Sequence, residues 1–395
     1  MPEKRKDNKG RVLRDGETYR KDGRYMYRYT NIRGQRCYVY AHSLNELREL
    51  ESRIEADVKA GISYTEGAAT VIELTERYIS QKLGARYNTR KGYDFILNLL
   101  KKEDFGYLPI RDIKPSDAKA FCIKLHKDGR SFSTVSAVRG VLKPAFEMAA
   151  DDDIIRRNPF LFRVADVISN DAQVRKALSA KDKERFLEYV LCDKCRQKHY
   201  NEIIILLETG LRVSELYGLT KSDLDFENRK IRVERQLTRD KHCKYYIEPP
   251  KTRSGTRFIP MSDTVYQALT DTLNQRKTPR VEQMIDGCVG FLFLDKDGKP
   301  KVALHLEHAI KRMVDKYNDT HEVPLPPITP HVLRHTFCTE LANAGMDVKS
   351  LQYLMGHSDV NTTLNIYTHS SYETAEQAFV GLASAREQGK KPAEA

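Results

Sequence analysis

The sequence predicts a multidomain, mainly α-helical protein with a small N-terminal β-sheet plus one helix, then a helical bundle, then an α+β domain. Three observations predict this architecture. The chain has 395 residues, more than one typical domain contains. Aromatic, strand-like segments separated by glycine turns are confined to its first part, and helical periodicity dominates the rest. We expect domains at residues 1–66, 67–165 and 166–395.

The N-terminal domain combines short strands with dense positive charge. Residues 25–30 and 37–40 are strand-like, and the pairs Asp15-Gly16 and Asp22-Gly23 favour tight turns, so we predict a three-stranded sheet. Ser43 followed by Glu46 is typical of a helix start and predicts a helix to about residue 60 that covers one sheet face.

The first 36 residues carry 12 Lys or Arg against 5 acidic residues. Cations on one rigid face suit contacts with nucleic acid. The competing interpretation is that the tyrosines form a core and the arginines a solvated surface. The candidate DNA-binding residues of this sheet are Arg20, Arg24, Arg28 and Arg36.

The second domain is predicted to be a bundle of four or five helices. Val71, Leu74 and Tyr78 recur at helical spacing, and later segments repeat the pattern. Pro115 and Ser133 are expected to open two of the helices, residues 158–159 to end the bundle, and residues 163–177 to form a linker. Possible phosphate contacts here, each of which could equally be a solvated surface residue, are Lys114, Arg130, Ser133, Thr134 and Arg139.

The third domain is expected to begin at residues 178–180. Its first helices are predicted at 181–190 and 199–208. Strands at 230–237, 244–249 and 257–260 follow, and helices dominate afterwards.

Composition excludes several classes of protein. The formal net charge of +12 favours a polyanionic partner. Seven scattered cysteines argue against a disulfide framework and for a reducing cytoplasm. Neither a signal peptide nor a membrane-spanning segment is expected. Cys192, Cys195 and His199 lack a second ligand pair, so no metal is predicted, and no other cofactor.

Two arginines, two histidines and a tyrosine in the last half of the chain suit attack by a phenol oxygen on a phosphodiester. Arginine can donate two parallel hydrogen bonds to phosphoryl oxygens. Tyrosine, with a pKa of about 10, needs such help at neutral pH. These residues and a lysine in a predicted turn, in chain order, are Arg212, Lys251, His331, Arg334, His357 and Tyr367.

This ordered set resembles that of the tyrosine recombinases, the phage-lambda integrase family, which shares its active site with type IB topoisomerases. The family pattern is Arg, Lys, His-x-x-Arg, His or Trp, then Tyr, and all six members are present in this sequence. The likeness is nearest to integrases of conjugative transposons. It implies an arm-type DNA-binding domain, a core-binding bundle and a catalytic domain in the three predicted segments.

The resemblance also implies a role for each residue. Lys251 would be the general acid for the leaving 5′-oxygen; Arg253 and Arg257 lie in the same turn, but an arginine does not readily release a proton. His331 would accept the tyrosine proton or orient the phosphate, and His357 would donate to a phosphoryl oxygen. The nucleophile would be Tyr367. His335 is expected to be structural, and Tyr372 lies outside the motif.

The expected function is site-specific recombination that integrates and excises a mobile element through a 3′-phosphotyrosyl intermediate. The implied partners are double-stranded DNA at core and arm sites, three further copies of the chain in a tetramer on DNA, and an accessory excision factor. The free protein would be a monomer associated with the nucleoid. A relaxing topoisomerase and a binding-only regulator are the alternatives. An apolar stripe within residues 371–387 predicts a helix that packs on a neighbouring protomer or on its own chain.

Overall fold

The computed structural model describes residues 5–31, 34–59, 66–171, 176–240, 242–250 and 252–367. The chain separates into two compact units, residues 1–173 and 174–395, each of which is considered by itself. Two separate hydrophobic cores lie within the first unit, one in the N-terminal sheet and helix and one in the helical bundle. The three-domain division remains a prediction.

The N-terminal segment folds into an antiparallel sheet covered by one helix. Side chains alternate across the sheet, so Tyr25, Tyr27 and Tyr29 point to the core while their neighbours face outward. Leu47 and Ile54 of the helix pack on the same side. The elements are β1 (Glu17–Tyr19), β2 (Tyr25–Thr30), β3 (Arg36–Ala41) and α1 (Leu44–Lys59).

Local hydrogen bonds explain where α1 begins. The backbone N–H of Glu46 donates to Ser43 Oγ at 3.2 Å, and the Glu46 carboxylate accepts from the His42 N–H at 3.1 Å. This reciprocal capping was predicted. The buried Glu17 carboxylate then joins β1 to α1, because Arg48 Nε lies 3.0 Å from Glu17 Oε1.

The bundle consists of four helices around an apolar core. At its first helix, Thr70 and Glu73 cap each other reciprocally, an arrangement that contributes about 1 kcal/mol. Phe121, Leu142, Phe146 and other apolar side chains fill the interior. The helices are α2 (Val71–Ser80), α3 (Tyr87–Leu100), α4 (Pro115–Lys127) and α5 (Phe132–Asp151).

Two expectations for the bundle were wrong in detail. Helix α5 begins after Ser131, whose Oγ accepts from the Thr134 N–H, and not at Ser133. The predicted linker starts later than residue 163, because Val164 and Ile168 are buried in the bundle core. The Ile168 N–H donates to the Val164 carbonyl oxygen at 3.0 Å, so the segment folds onto the bundle and is not an extended linker at this point.

The second unit surrounds its core with helices and two small sheets. One sheet has the antiparallel order β4-β5-β8 and the other pairs β6 with β7. The first elements are α6 (Ala180–Leu191), α7 (Lys194–Gln197), α8 (Tyr200–Thr209), α9 (Val213–Gly218), β4 (Leu224–Asp225), β5 (Lys230–Val233), β6 (Gln236–Arg239), β7 (Tyr245–Glu248), β8 (Arg257–Pro260) and α10 (Asp263–Gln275). Those that follow are α11 (Ala303–Thr320), α12 (Pro330–Asn343), α13 (Val348–Met355) and α14 (Val360–Tyr367).

The single strand predicted at 230–237 is two strands in different sheets. The chain breaks between β5 and β6 because Arg235 turns inward to pair with the buried carboxylate of Asp223. An ion pair of this kind leaves no periodic signature in the sequence.

The short helix α14 is capped by the residue that precedes it. Asp359 Oδ1 accepts from the Asn361 N–H at 3.0 Å, so Asp359 provides the cap. Ile366 packs on a small cluster formed by Cys338, Leu351 and Met355. Thr363 is buried, whereas the next residue, Leu364, is exposed.

No helix within the described ranges combines the length and the apolar character needed to cross a membrane.

Candidate active site

Arg212 lies at the start of α9, directly after a sharp change of chain direction. Gly210 ends α8 in the left-handed region with φ 61°, where a Cβ atom would come within 2.5 Å of the Phe337 ring. The Arg212 backbone N–H donates to Glu215 Oε2 at 2.9 Å, and its Nη1 donates to Glu215 Oε1 at 2.7 Å. The Glu215 carboxylate therefore fixes both the backbone and the side chain of Arg212.

Arg257 shares the same carboxylate from the opposite side. Its Nη2 lies 2.9 Å and its Nη1 3.3 Å from the two Glu215 oxygens. Arg257 Nη1 also donates to the carbonyl oxygen of Gly255 at 3.1 Å, which ties it to the turn that precedes β8. Neither partner's side chain is exposed.

Arg334 is the most enclosed of the predicted phosphate-binding residues. Its two terminal nitrogens donate to the carbonyl oxygens of Gly210 and Met355, and Glu215 Oε2 lies 4.0 Å from its Nη1. Burial, with help from the neighbouring Arg212 charge, lowers the pKa of Arg334 to about 9. The side chain is therefore still a cation at neutral pH.

The last carbonyl groups of α13 hold all three arginines. Leu354 O accepts from Arg257 Nε at 2.7 Å, Met355 O from Arg334, and Gly356 O from Arg212 Nη2 at 3.1 Å. Carbonyls at a helix C-terminus lack intrahelical partners and carry negative partial charge, so they bind cations well. Successive carbonyls thus position the three guanidinium groups.

Glu215 stays ionised within this cluster. Burial opposes its charge, but Arg257, Arg212 and Arg334 together outweigh burial and hold the pKa of the carboxyl below its usual range. One buried anion is surrounded by three cations, so the cluster keeps an excess of positive charge. That excess suits a phosphodiester.

His357 follows Gly356 and is half-buried. Its Nδ1 lies 3.0 Å from Thr363 Oγ1. Burial, followed by the charges of Arg334 and Arg212, lowers the pKa of His357 to about 4. The imidazole is therefore neutral at pH 7 and carries a single N–H.

The remaining predicted catalytic residues are placed less completely. His331 is exposed in the first turn of α12, one helical turn before the buried Arg334. Lys251 and Tyr372 lie outside the described residues, as does the predicted C-terminal helix. For Tyr367 the backbone is described, as the last residue of α14.

Three residues of this site were missed or undervalued by sequence reasoning. Glu215 was assigned no role, although its spacing of three from a residue at a helix start is a capping signal. Arg257 was considered only as a rival of Lys251. Thr363 had no distinguishing signal, because its partner His357 is identified only by the fold.

The exposed face of the N-terminal sheet carries the predicted arginines. Arg28 and Arg36 are exposed on β2 and β3, and residue 28 lies opposite Tyr38 in the register. Arg20 and Arg24 lie with their guanidinium carbons 5.4 Å from the Tyr40 ring centre. Both arginines also contact the Asp22 carboxylate. The hydrogen bond from Arg24 is the main reason why the pKa of Asp22 is lowered to about 2.

The bundle candidates differ from one another. Lys114, Arg130 and Ser133 are exposed at helix ends. Thr134 is half-buried, with its hydroxyl 3.0 Å from Ser131 Oγ. Arg139 is half-buried and its Nε donates to Phe160 O at 3.1 Å, so this side chain also supports the bundle.

The Cys192, Cys195 and His199 segment does not assemble a metal centre in the described part of the chain, which contains no cluster of three candidate ligands. His199 Nδ1 lies 2.7 Å from Glu202 Oε2, and Lys301 Nζ lies 2.7 Å from Glu202 Oε1. This buried group is an ion-pair network between α8 and the segment before α11.

Comparison with known proteins identifies relatives of this chain. Residues 172–374 match the phage integrase family, and residues 1–58 match the DNA binding domain of Tn916 integrase. The transposase from transposon Tn1545 of Streptococcus pneumoniae is 43% identical over 389 residues, covering 95% of this chain and 96% of that protein. The transposase from Tn916 of Enterococcus faecalis is 42% identical with the same coverage.

A solved fragment of the Tn1549 transposon integrase, in complex with a circular intermediate DNA, superposes with a TM-score of 0.76 at 44% identity. It covers 79% of this chain and 99% of that fragment. Lambda integrase bound to a core site shares the fold, with a TM-score of 0.54 at 18% identity over 75% of this chain and 95% of that one. The chain therefore belongs to the phage integrase family: it is a tyrosine recombinase, an enzyme that cuts and rejoins DNA, of the kind with which conjugative transposons integrate and excise.

Proposed function

We propose that Arg212, Arg334, His357, His331, Lys251 and Tyr367 form the DNA-cleavage site of this integrase. The Tyr367 phenol oxygen attacks the scissile phosphorus, the new Oη–P bond forms, and the bond from phosphorus to the 5′-oxygen breaks. The product is a 3′-phosphotyrosyl bond and a free 5′-hydroxyl. Attack by that hydroxyl, or by one from another duplex, reverses the step.

The observation that carries this proposal is the arrangement of arginines around Glu215 and the end of α13. Each guanidinium has five N–H donors. The two hydrogen bonds of Arg334 to carbonyl oxygens leave up to three of its donors for a ligand. Arg212 is likewise held by Glu215 and Gly356. Donors fixed in advance stabilise a developing negative charge without reorganisation, and losing one typically costs about 100-fold or more in rate.

The protons in this reaction have assigned routes. The tyrosine proton passes to His331, and the Lys251 ammonium protonates the departing 5′-oxygen. His357 is neutral at pH 7 and donates its N–H to a non-bridging oxygen. The proposal includes no metal or organic cofactor: the arginines supply the positive charge at the phosphate, and the phosphotyrosyl bond conserves the energy for resealing.

The proposed partner is double-stranded DNA at two kinds of site. The arginine-bearing sheet face would bind an arm site, and the bundle and the catalytic unit would each contact a core site. Arg28, Arg36 and the aromatic rings of Tyr38 and Tyr40 provide one exposed face of suitable charge. The relatives support DNA as the partner, because the Tn1549 integrase fragment was solved with DNA.

Exchange between two duplexes requires four cleavage events, so we propose a tetramer on DNA that assembles from free monomers, with an accessory factor for excision. The enzyme would work on the bacterial nucleoid. The tail beyond Tyr367 would link neighbouring protomers.

Suicide-substrate trapping tests the cleavage site. A nicked core site should give a covalent protein–DNA adduct through a 3′-phosphate, and Tyr367→Phe should retain DNA binding but give no adduct. An adduct on another tyrosine, or a 5′ linkage, would overturn the assignment. Exchange between two duplexes, as opposed to relaxation alone, then separates a recombinase from a topoisomerase.

A further inference from the structure

Thr363 differs from the other buried threonines in the helices of this chain. Thr75, Thr209, Thr272 and Thr336 each donate the side-chain hydroxyl to the carbonyl oxygen four residues earlier. That bond is the usual one for a buried helical threonine. Thr363 is also fully buried, yet its hydroxyl is directed to the His357 ring, with 3.0 Å between Oγ1 and Nδ1.

The contact defines which nitrogen of His357 carries the proton. Within the described ranges, the Thr363 hydroxyl has no other hydrogen-bond partner. A buried hydroxyl that fails to donate costs about 1–3 kcal/mol. The hydroxyl therefore donates to Nδ1, so Nδ1 is the acceptor and the proton of the neutral imidazole lies on Nε2.

The groups around the ring agree with a neutral imidazole. Arg212 before α9, Arg257 on β8 and Arg334 on α12 all face His357 and oppose a charge on it, whereas Glu215 on α9 favours one. The three cations outnumber the single anion. The imidazole is therefore neutral at pH 7, and the Thr363 hydroxyl determines which of its two tautomers forms.

Resting on the proposed function, we infer that Thr363 is a positioning residue: it holds His357 in the tautomer that presents Nε2–H to a phosphoryl oxygen. Thr363 also lies one helical turn before Tyr367 on α14, so the same hydrogen bond joins the histidine to the nucleophile helix. The orientation of the hydrogen-bond donor and the position of the nucleophile are thereby coupled.

Adduct formation on a nicked core site under single-turnover conditions tests the inference. Thr363→Val should slow the reaction by about 10- to 100-fold. Without the hydroxyl the His357 ring can rotate and both tautomers are populated, so a preorganised donor is lost. Thr363→Ser keeps the hydroxyl and should stay within about threefold of the parent. Equal losses in the two variants would overturn the role, as would an unchanged rate in Thr363→Val.

A second background separates positioning from packing. In His357→Trp the indole N–H is a donor that has no tautomer. Adding Thr363→Val to that variant should cost less than about threefold, and a loss as large as in the parent would show that the threonine acts only through packing.

If the tryptophan variant forms no adduct, ¹⁵N spectra of histidine-labelled protein decide the question. The signals assigned by their absence from His357→Trp should show Nε2–H in the parent and a mixture of tautomers in Thr363→Val. Nδ1–H in the parent would overturn the inference. Failure of the proposed function would look different, since the parent itself would form no adduct or His357→Ala would cleave normally.

Discussion

Arg257 and Glu215 form an ion pair in which neither side chain is exposed to solvent, with Nη2 of the arginine 2.9 Å from Oε2 of the glutamate. Breaking such a buried pair from one side leaves an uncompensated charge. Because Glu215 also binds Arg212, the charge of Arg257 balances an anion that would otherwise draw Arg212 and Arg334, the proposed phosphate ligands, toward itself. The pair therefore supports both the fold and the site.

Arg257→Met should lower the free energy of unfolding by about 3–5 kcal/mol, because the Glu215 carboxylate would remain buried without its positively charged partner on β8. Urea denaturation of the catalytic unit measures this. The matched control is Arg229→Met, which removes a half-exposed arginine paired with the exposed Asp263 and should cost at most about 1 kcal/mol. Similar losses in both variants would contradict the structural role of Arg257.

Lys251→Ala should block cleavage of a normal phosphodiester but spare a substrate with sulfur at the 5′-bridging position. Sulfur leaves without protonation, so a general acid is no longer needed. Arg253→Ala, in the same turn, is the control. Its cleavage rate relative to that of the parent enzyme should be similar on the two substrates. If Lys251→Ala loses the same factor on both, the lysine contacts the phosphate instead. Adding EDTA should change neither result.

The free energy of unfolding should decrease as pH falls from 6.5 toward 4, because His357 titrates in this range. The pKa of this imidazole is about 4 in the folded protein against 6.5 for a free side chain. Its contribution to stability is therefore fully present above pH 6.5 and is lost as pH falls toward 4. By pH 5 the loss should be about 2 kcal/mol.

His357→Gln removes the titrating group, so its free energy of unfolding should depend less steeply on pH between 6.5 and 5. The lowered pKa of His305 acts in the same direction in both proteins and cancels in the difference. Urea titrations at three pH values supply the measurement. Parallel curves for parent and variant would refute the depressed pKa of His357.

The sheet face should make salt-dependent phosphate contacts. Replacing Arg28 and Arg36 together by Gln should reduce the log–log salt slope of arm-site binding by about 0.9 for each phosphate contact removed. Arg53→Gln is the control, since this residue is exposed on α1, away from the sheet face. An unchanged slope in the double variant would place the DNA elsewhere.

Deletion of residues 1–66 gives a separate test of the same assignment. Cleavage of a nicked core half-site should be nearly unchanged, whereas recombination of full sites should fall strongly, because it needs the arm to bind a second DNA segment. Loss of core cleavage would mean that the arm supports the catalytic unit.

The sequence predicted elements well wherever local signals set them. Ser43 with Glu46 marked the start of α1, and Gly16 and Gly23 marked the turns before β1 and β2, because caps and left-handed glycines act within a few residues of chain. Prediction failed where distant partners decide. Arg235 breaks a strand through its contact with Asp223.

The same division applies to the candidate site. The residues expected to touch DNA are predicted from their ordered motif, but the groups that hold them in the structure were not predicted. Glu215 is a buried acid whose function depends on Arg257, 42 positions later in the chain. Thr363 resembles any helical threonine until the fold brings the His357 ring to it. Residues that act through another residue leave little trace in one sequence.

Arg334 joins two helix ends that are far apart in the chain, through the carbonyl oxygens of Gly210 after α8 and Met355 at the end of α13. Under the proposed function, selection for chemistry and selection for a stable chain therefore act on the same side chain. A substitution of Arg334 should therefore reduce recombination in a cell for two reasons. The phosphate would be held less well, and the protein would unfold and be degraded more readily. In a mutational survey, Arg334 variants should be scarce as proteins as well as inactive, whereas Tyr367→Phe should accumulate to normal levels.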